Sequence, residues 1–335
     1  MSIITNKIKN VLLLIFTLFV FFSYLVHNDI VAKVAIDALS LCFFKIIPSI
    51  FPFMVISTFI LKSGLTRKVF SNAKSIDLIL VSWISGFIVG PKFLSEQNID
   101  DDLSDVYALL SNAGVGFVVS YVGTTLWQNK LFGIYLYSVQ IISALLIYKI
   151  KNNYKVKLIP FEGNEKPYIK AFCESIEDST KTMLSICAFT IFFSIFKEVT
   201  LEIFAIKSGM FSAVFSAALE ISSGAYSTVS CESNLIGAFL VGFTVGFGGI
   251  CMCLQTFTAV SSRLNKKKFV LKKLAQGVLC GLLSVLYAYL FDLEPTSAVV
   301  LTTSGWYELL NILISSLFLF CTIIYFKKVL KNIDF

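Results

Sequence analysis

The chain reads GFIVGPK at residues 86–92 and EISSG at residues 220–224, each within strongly apolar surroundings. Each of these glycine-bearing stretches carries one ionisable residue, Lys92 in the first and Glu220 in the second. Irregular backbone within a bilayer is tolerated only where it is buried in protein or lines a cavity. The two stretches therefore predict a membrane protein whose interrupted segments surround an internal site.

A second interruption follows each of these stretches, with SNAGVG at residues 111–116 and GFGG at residues 246–249. Interrupted apolar segments at corresponding places in two halves of a chain are the best sequence indication of a transporter's binding site. The sequence therefore predicts a transporter with its site between the two halves.

The composition agrees with a lipid environment. The chain has 335 residues, of which 56% are hydrophobic and only 15% charged, and its mean hydropathy is +0.81. A water-soluble domain of this length could not cover so much apolar surface. A single histidine and eight scattered cysteines give no metal-binding cluster and no histidine-based triad. The chain also lacks a phosphate-binding Walker loop. We therefore expect neither an enzyme nor ATP-driven transport, with no metal site and no cofactor.

Hydrophobic runs of about 17–25 residues are long enough to span a bilayer. They predict an all-α polytopic membrane protein with about eight transmembrane helices, at residues 11–26, 38–61, 106–127, 131–148, 182–204, 235–260, 274–291 and 309–326. Two glycine-bearing stretches remain, residues 76–97 and 210–229. We expect both to be re-entrant hairpins, which enter the membrane and return on the same side.

The basic residues predict the orientation. If both hairpins are re-entrant and the N-terminus is cytoplasmic, 21 of the 28 Lys and Arg residues lie on the cytoplasmic side, as the positive-inside rule requires. They occupy both tails and the loops at residues 62–75, 149–171 and 261–273. The basic runs at 149–157 and 263–273 are then orientation signals, and we expect no nucleic-acid binding.

This topology gives the two halves inverted orientations. A shift of 134 positions lays Gly90 on Gly224 and Gly114 on Gly248, which supports an inverted repeat only mildly. We expect a first membrane repeat at residues 1–150, a cytoplasmic connector at 151–180 and a second membrane repeat at 181–335.

Lys92 has two interpretations. In the first, its ammonium ion attracts an anionic substrate beside glycines whose backbone N–H groups approach the ligand closely. In the second, it is a lysine that reaches out to the cytoplasmic interface. The position of Lys92 alone favours neither, although a lysine inside a membrane usually faces a cavity or a partner. We favour the first because of the neighbouring glycines. Lys92→Ala is then expected to abolish uptake of an anion.

Glu220 has no basic neighbour in the sequence. Its carboxylate is expected to serve a coupling ion, a proton or Na⁺, or to pair with Lys92; the alternative is an interfacial glutamate. The other candidates are small or polar residues at the breaks, where ligand contact and helix packing are both open. The full candidate substrate site consists of Gly90, Lys92, Ser111, Asn112, Glu220, Ser222, Ser223, Gly224, Gly248, Gly249 and Gln255.

Five short motifs occur in an order that resembles the YlbJ-like sporulation integral membrane proteins, whose membrane region is a nucleoside-recognition Gate domain. They are PSIFPF at 48–53, GFIVGPK at 86–92, SNA at 111–113, LEI at 219–221 and FGG at 247–249. The resemblance covers roughly residues 10–325. It implies a role in endospore formation and in moving dipicolinate, a small aromatic dianion, across the outer forespore membrane. It also implies that Lys92, Asn112, Glu220, Gly90, Gly224, Gly248 and Gly249 match motif positions.

The chain departs from the family's motifs in three places. A turn that usually reads Gly-Asn-Pro-x-Gly-Ala-Lys is GFIVGPK here, and Asn-Ala-Ser-Asn-Pro becomes NAGVG at residues 112–116. A histidine common after Phe-Gly-Gly is absent, and CMC stands in that region at 251–253. The chain is thus similar to a divergent member, for which the fold carries over better than the substrate.

Three functional hypotheses follow. The first is a secondary transporter for a small organic anion, with dipicolinate as the candidate. The second is a carrier for a nucleoside or another small solute, as the name of the Gate domain suggests. The third is a membrane scaffold that assembles with sporulation proteins and transports nothing. The expected partners are the small anion, a coupling ion and the lipid bilayer.

Overall fold

The computed structural model describes residues 2–66, 76–96, 102–151, 166–206, 209–231, 233–260, 264–291 and 293. Within these ranges all regular structure is helical. The α-helices are Ser2–Val26, Asn28–Leu41, Ile47–Ser63, Ile76–Ser85, Val89–Ser95, Ser104–Leu110, Lys130–Lys151, Tyr168–Ile203, Met210–Leu219, Ile221–Thr228, Asn234–Phe247, Gly249–Ala259 and Lys266–Phe291. The segments Cys42–Ile46 and Gly116–Leu126 are π-helical.

Six helical segments of the described chain are long and apolar enough to cross a membrane. They are Lys7–Val26, Asn28–Ser63, Lys130–Tyr148, Tyr168–Ile203, Asn234–Ala259 and Lys266–Phe291. The all-α membrane class is therefore confirmed, while the total of eight spans stays a prediction. The predicted span 106–127 consists of two shorter pieces separated by a break, and the predicted span 309–326 lies outside the described residues.

The long helical segment Asn28–Ser63 departs from a regular α-helix near its middle. Pro48 and Pro52 each lack the N–H group that an α-helix needs for its i→i−4 hydrogen bond. Just before them the backbone widens into the π-helical turn Cys42–Ile46, a feature that often marks functional sites. The segment ends at Gly64, whose positive φ of 65° closes the last turn.

Residues 76–96, the described part of the predicted stretch 76–97, turn back on themselves and form the first hairpin. Its arms, Ile76–Ser85 and Val89–Ser95, meet at a turn that begins with Gly86, whose φ is +105°. A Cβ on Gly90 would overlap the hydroxyl of Ser82 and lie 2.5 Å from the Cβ of Ser82. Residues eight apart in a straight helix are about 12 Å apart, so the arms must be antiparallel. A glycine is required where they touch.

The second hairpin is built in the same way. Its arms, Met210–Leu219 and Ile221–Thr228, meet at Glu220, whose backbone is extended with φ −148° and ψ 137°. A Cβ on Gly224 would lie 2.8 Å from the Cα of Ala217, across the hairpin. Both predicted stretches are thus helical hairpins, and their re-entry from one membrane face stays a prediction.

The order of elements repeats along the chain. A long helical segment, a hairpin, a broken helix and a closing helix occur first within residues 28–151 and again within residues 168–291. The 134-position shift that lays Gly90 on Gly224 also lays Ser82 on Ser216, and a Cβ on Gly224 would lie 3.1 Å from the carbonyl oxygen of Ser216. Equivalent hairpin contacts therefore accompany the repeated order. The predicted connector 151–180 overlaps the second long helix from residue 168 onward.

We expect Gly90→Ala to destabilise the protein by about 1–3 kcal/mol, the usual cost of overpacking a close contact. Thermal unfolding of the detergent-purified protein measures the loss. The matched test is the double variant Ser82→Gly with Gly90→Ala. It removes the side chain at position 82 and so makes space for the methyl group added at position 90 on the facing arm. It should recover part of the lost stability, and a double variant less stable than Gly90→Ala would contradict the antiparallel contact.

A candidate substrate site where four helix breaks meet

All four predicted breaks line one internal cavity. The first hairpin contributes residues 85–88, the first broken helix residues 113–114, the second hairpin residues 220–222 and the second broken helix Gly248. The remaining lining comes from the two long helices and the broken helices: Ile46, Ile50, Met54, Phe117, Ile186, Thr190, Cys251, Met252 and Gln255. Segments that are far apart in sequence, drawn from both halves, therefore share one site.

The cavity is small, with a volume of about 50 Å³. A single water needs about 10–15 Å³ on this scale, so the space holds a few waters. Pockets for drug-sized ligands are larger, about 300–1,000 Å³. The structure therefore shows the site closed around its centre, and a substrate requires the lining to move.

Glu220 lies at the tip of the second hairpin with only 1% of its surface exposed. Its Oε1 accepts a hydrogen bond from the backbone N–H of Ser222 at 2.9 Å, and its Oε2 accepts one from Ser223 at 2.7 Å. The carboxylate thus caps the helix Ile221–Thr228, where a negative charge is favourable. This contact stabilises an anion inside the membrane protein while leaving Glu220 in the cavity lining.

Ser111 and Asn112 lie behind the cavity wall. Both are fully buried, and the described lining contains their neighbours Ala113 and Gly114 instead. The Nδ2 of Asn112 donates to the carbonyl of Leu109 at 2.6 Å. These two candidates fix the break between the helices Ser104–Leu110 and Gly116–Leu126, and the closed structure places neither side chain at the cavity.

The four glycine candidates lie in three different surroundings. Gly248 lines the cavity and has a φ of +82°. Gly249, with a φ of +80°, is held against the tip of the second hairpin, where a Cβ would lie 2.7 Å from the carbonyl oxygen of Leu219. Gly90 and Gly224 instead permit close packing within the hairpins. Of the four, the described lining includes Gly248 alone.

The remaining polar candidates also separate. Ser222 and Gln255 line the cavity, and the Nε2 of Gln255 donates to the Sγ of Cys251 at 3.4 Å. Ser223 faces a different and wider cavity of about 600 Å³, which charged residues such as Lys197 also line. Ser222 and Ser223, neighbours on the second hairpin, therefore line different cavities.

Lys92 lies outside the described lining of the cavity. Its Nζ is 3.9 Å from the Oδ1 of Asp178, and 34% of its side chain is exposed. Asp178 also accepts from the Nζ of Lys62 at 2.5 Å. Lys92 therefore belongs to an ion-pair cluster with the second long helix, and the predicted pairing with Glu220 is not formed. Lys92 lies on the second arm of the first hairpin, after the turn, and its side chain points away from the breaks.

We expect Lys92→Met to leave substrate affinity within about twofold and to cost less than about 1 kcal/mol of stability, because exposed ion pairs contribute little. Isothermal calorimetry and thermal unfolding of the purified variant measure the two effects. Lys181→Met is the matched control, since Lys181 forms an exposed pair with Glu177 on the same long helix as Asp178. A loss of binding specific to Lys92→Met would restore Lys92 to the substrate site.

Lys273 is a buried residue outside the predicted site, because the basic run 263–273 to which it belongs predicts orientation. None of its surface is exposed, and its Nζ donates to the backbone carbonyl of Ser111 and to the Oε1 of Gln276, both at 2.6 Å. Small and polar residues continue its helix face at spacings of three and four: Gln276, Gly277, Cys280, Gly281 and Ser284. This stripe was the available signal that Lys273 points into the protein.

The comparison with curated proteins finds one similar along almost its whole length. The chain is 22% identical to the sporulation integral membrane protein YlbJ of Bacillus subtilis (strain 168), over an aligned length of 400 residues that covers 98% of each chain. No protein-family model matches the chain. No solved structure matches it. The similarity to YlbJ confirms the predicted resemblance and supports a divergent YlbJ-like protein, while the Gate domain stays a prediction.

Proposed function

We propose that this integral membrane protein, a divergent relative of the YlbJ-like sporulation proteins, is a secondary transporter for a small organic anion. Dipicolinate is the first candidate substrate. The observation that supports the proposal is the cavity shared by four helix breaks, two from each half of the chain. Sites at the interface of two repeats, formed by discontinuous helices, are typical of secondary transporters.

An anionic substrate must be accommodated beside the carboxylate of Glu220, which lines the cavity. Two backbone N–H groups donate to this carboxylate and stabilise its negative charge without cancelling it. We propose that the anion binds while a coupling cation, a proton or Na⁺, occupies Glu220.

Glu220 is also the residue that we assign to ion coupling, with a proton or Na⁺ as the coupling ion. It is a buried carboxylate in the cavity lining, and such groups commonly mark ion pathways in membrane proteins. We propose no enzymatic activity. The single histidine of the chain, His27, lies outside the described lining.

A nucleoside or another neutral solute is the second candidate substrate. The lining contains two aromatic rings, Phe87 and Phe117, and one amide, Gln255. Aromatic faces and amides suit the stacking and hydrogen bonding of a base. A scaffold role, the third hypothesis, needs no binding at the cavity at all.

The location that we propose is a bacterial cell or forespore membrane, with both termini cytoplasmic. The distribution of Lys and Arg supports this orientation. The similarity to a sporulation protein supports the forespore.

Counterflow uptake in proteoliposomes tests the proposal. Vesicles preloaded with unlabelled solute take up labelled dipicolinate if the anion is carried, and labelled nucleoside if the second candidate is correct. Protein-free vesicles and vesicles loaded with an unrelated solute are the controls. Uptake of no solute by correctly folded protein would exclude both transport hypotheses and favour the scaffold.

A further inference from the structure

The buried ammonium ion of Lys273 lies at the centre of a polar cluster that the closed cavity does not reach. Lys273 donates hydrogen bonds to Ser111 and Gln276. The Nε2 of Gln276 in turn donates to the Oδ1 of Asn112 at 2.6 Å. Gln276 also donates to the backbone carbonyl of Gln140 at 3.1 Å. The cluster thus joins the first broken helix to both closing helices.

Within the described part of the chain, no carboxylate pairs with Lys273. The acidic side chains that pair with its helix, Asp102 and Asp105, contact Lys268 and Lys272 instead. Lysines inside membrane proteins are costly, and they usually face a partner or a substrate pathway. The neutral carbonyls around Lys273 accept its N–H groups but carry no net charge, so this side chain has no counter-ion among the described residues.

The side chain of Phe87 lies against both the cavity and this cluster. The ring of Phe87 lines the cavity, and its centroid is 5.7 Å from the Nζ of Lys273. On another side the ring approaches Gly248, where a Cβ would lie 3.1 Å from Cε1 of Phe87. An ammonium ion has three N–H donors, and two of them are used by oxygen acceptors. The third has the aromatic ring as a weak partner near the limit of cation–π distance.

We propose that Phe87 is a plug and that Lys273 is the residue that binds the carboxylate of the transported organic anion. When the ring turns aside, the cavity extends to Lys273, and a carboxylate oxygen accepts the N–H that faced the ring. The amides of Asn112 and Gln276 then border the enlarged site. This inference rests on the proposed transport function and names the residue that binds the carboxylate of its substrate.

The first experiment measures binding to the purified protein in detergent. The probes are dipicolinate and its uncharged analogue pyridine-2,6-dicarboxamide, which has the same ring without the carboxylates. We expect Lys273→Met to weaken dipicolinate binding by about 10- to 100-fold, since hydrogen bonds to charged groups are of that strength. Binding of the dicarboxamide should change much less. Lys268→Met, on the same helix but paired with Asp102, is the matched control and should bind both probes as the wild type does.

The second experiment examines the plug without relying on Lys273 variants. We expect Lys273 to resist acetylation by acetic anhydride in the wild type and to become reactive in Phe87→Ala, as measured by mass spectrometry. Dipicolinate should protect it again. If Lys273→Met does not fold, this acetylation experiment decides alone: a Lys273 that dipicolinate fails to protect in Phe87→Ala would overturn the inference.

The outcomes separate this inference from the transport proposal. Equal dipicolinate affinity in Lys273→Met and Lys268→Met would overturn the role of Lys273 even if the protein transports solutes. Failure of the wild type to bind dipicolinate or any other small carboxylate tested would overturn it as well. Binding that depends on Lys273, together with no counterflow of any solute, would support the binding site and reject transport.

Discussion

Gly249→Ala is expected to destabilise the protein by about 2–5 kcal/mol and to abolish solute uptake. Its φ of +80° lies in a region that costs a residue with a side chain roughly 1–2 kcal/mol. The added Cβ would also lie 2.7 Å from the carbonyl oxygen of Leu219 and 2.9 Å from the backbone nitrogen of Glu220. Overpacking of this kind costs a further 1–3 kcal/mol, roughly. The strain would fall on the turn that positions the carboxylate of Glu220.

Gly248→Ala is the control that separates these two costs. Gly248 has nearly the same φ, +82°, but its Cβ would first meet the flexible end of Met252 at 2.7 Å. A side-chain end can move, whereas the backbone of the hairpin tip cannot. Thermal unfolding should therefore show a smaller loss for Gly248→Ala than for Gly249→Ala. Equal losses would mean that the contact with the second hairpin contributes nothing.

The broken segments could be predicted from the sequence because a plain spanning helix rarely contains clustered glycines and a charge within its apolar run. Both hairpins and the convergence of the breaks on one site depend on this signal. This signal needs no knowledge of tertiary structure, because lipid does not tolerate backbone N–H and C=O groups without hydrogen-bond partners in either half of the chain. The same reasoning identified Glu220, which does lie in the lining.

The direction of individual side chains could not be predicted in the same way. The arm Val89–Ser95 has only seven residues, which is too short for a helical period to show that Lys92 points away from the breaks. The positive-inside rule gives every lysine of the run 263–273 the same weight, although Lys273 shares a face with Gln276 and is fully buried. A lysine near a membrane can either set the orientation of the protein or bind a ligand. Only the packing of its side chain distinguishes these two roles.

The last prediction concerns what the carboxylate of Glu220 does besides capping a helix. Glu220→Ala removes the acceptor of two backbone N–H groups and should cost about 0.5–2 kcal/mol, the usual value of an N-cap. Asp and Asn are both strong N-cap residues. Glu220→Asp and Glu220→Asn should therefore unfold at similar temperatures, both above Glu220→Ala. The two variants differ chiefly in charge, so they separate the structural role from the coupling role.

Transport assays then decide between the roles. If Glu220 binds the coupling ion, Glu220→Asn should lose concentrative uptake driven by a proton or Na⁺ gradient, because a neutral amide cannot exchange a proton and attracts a cation weakly. It should still catalyse counterflow, which needs no net ion movement, while Glu220→Asp should keep both activities in part. Gradient-driven uptake by Glu220→Asn at the wild-type level would leave Glu220 as a helix cap alone. Coupling would then have to reside on a different group.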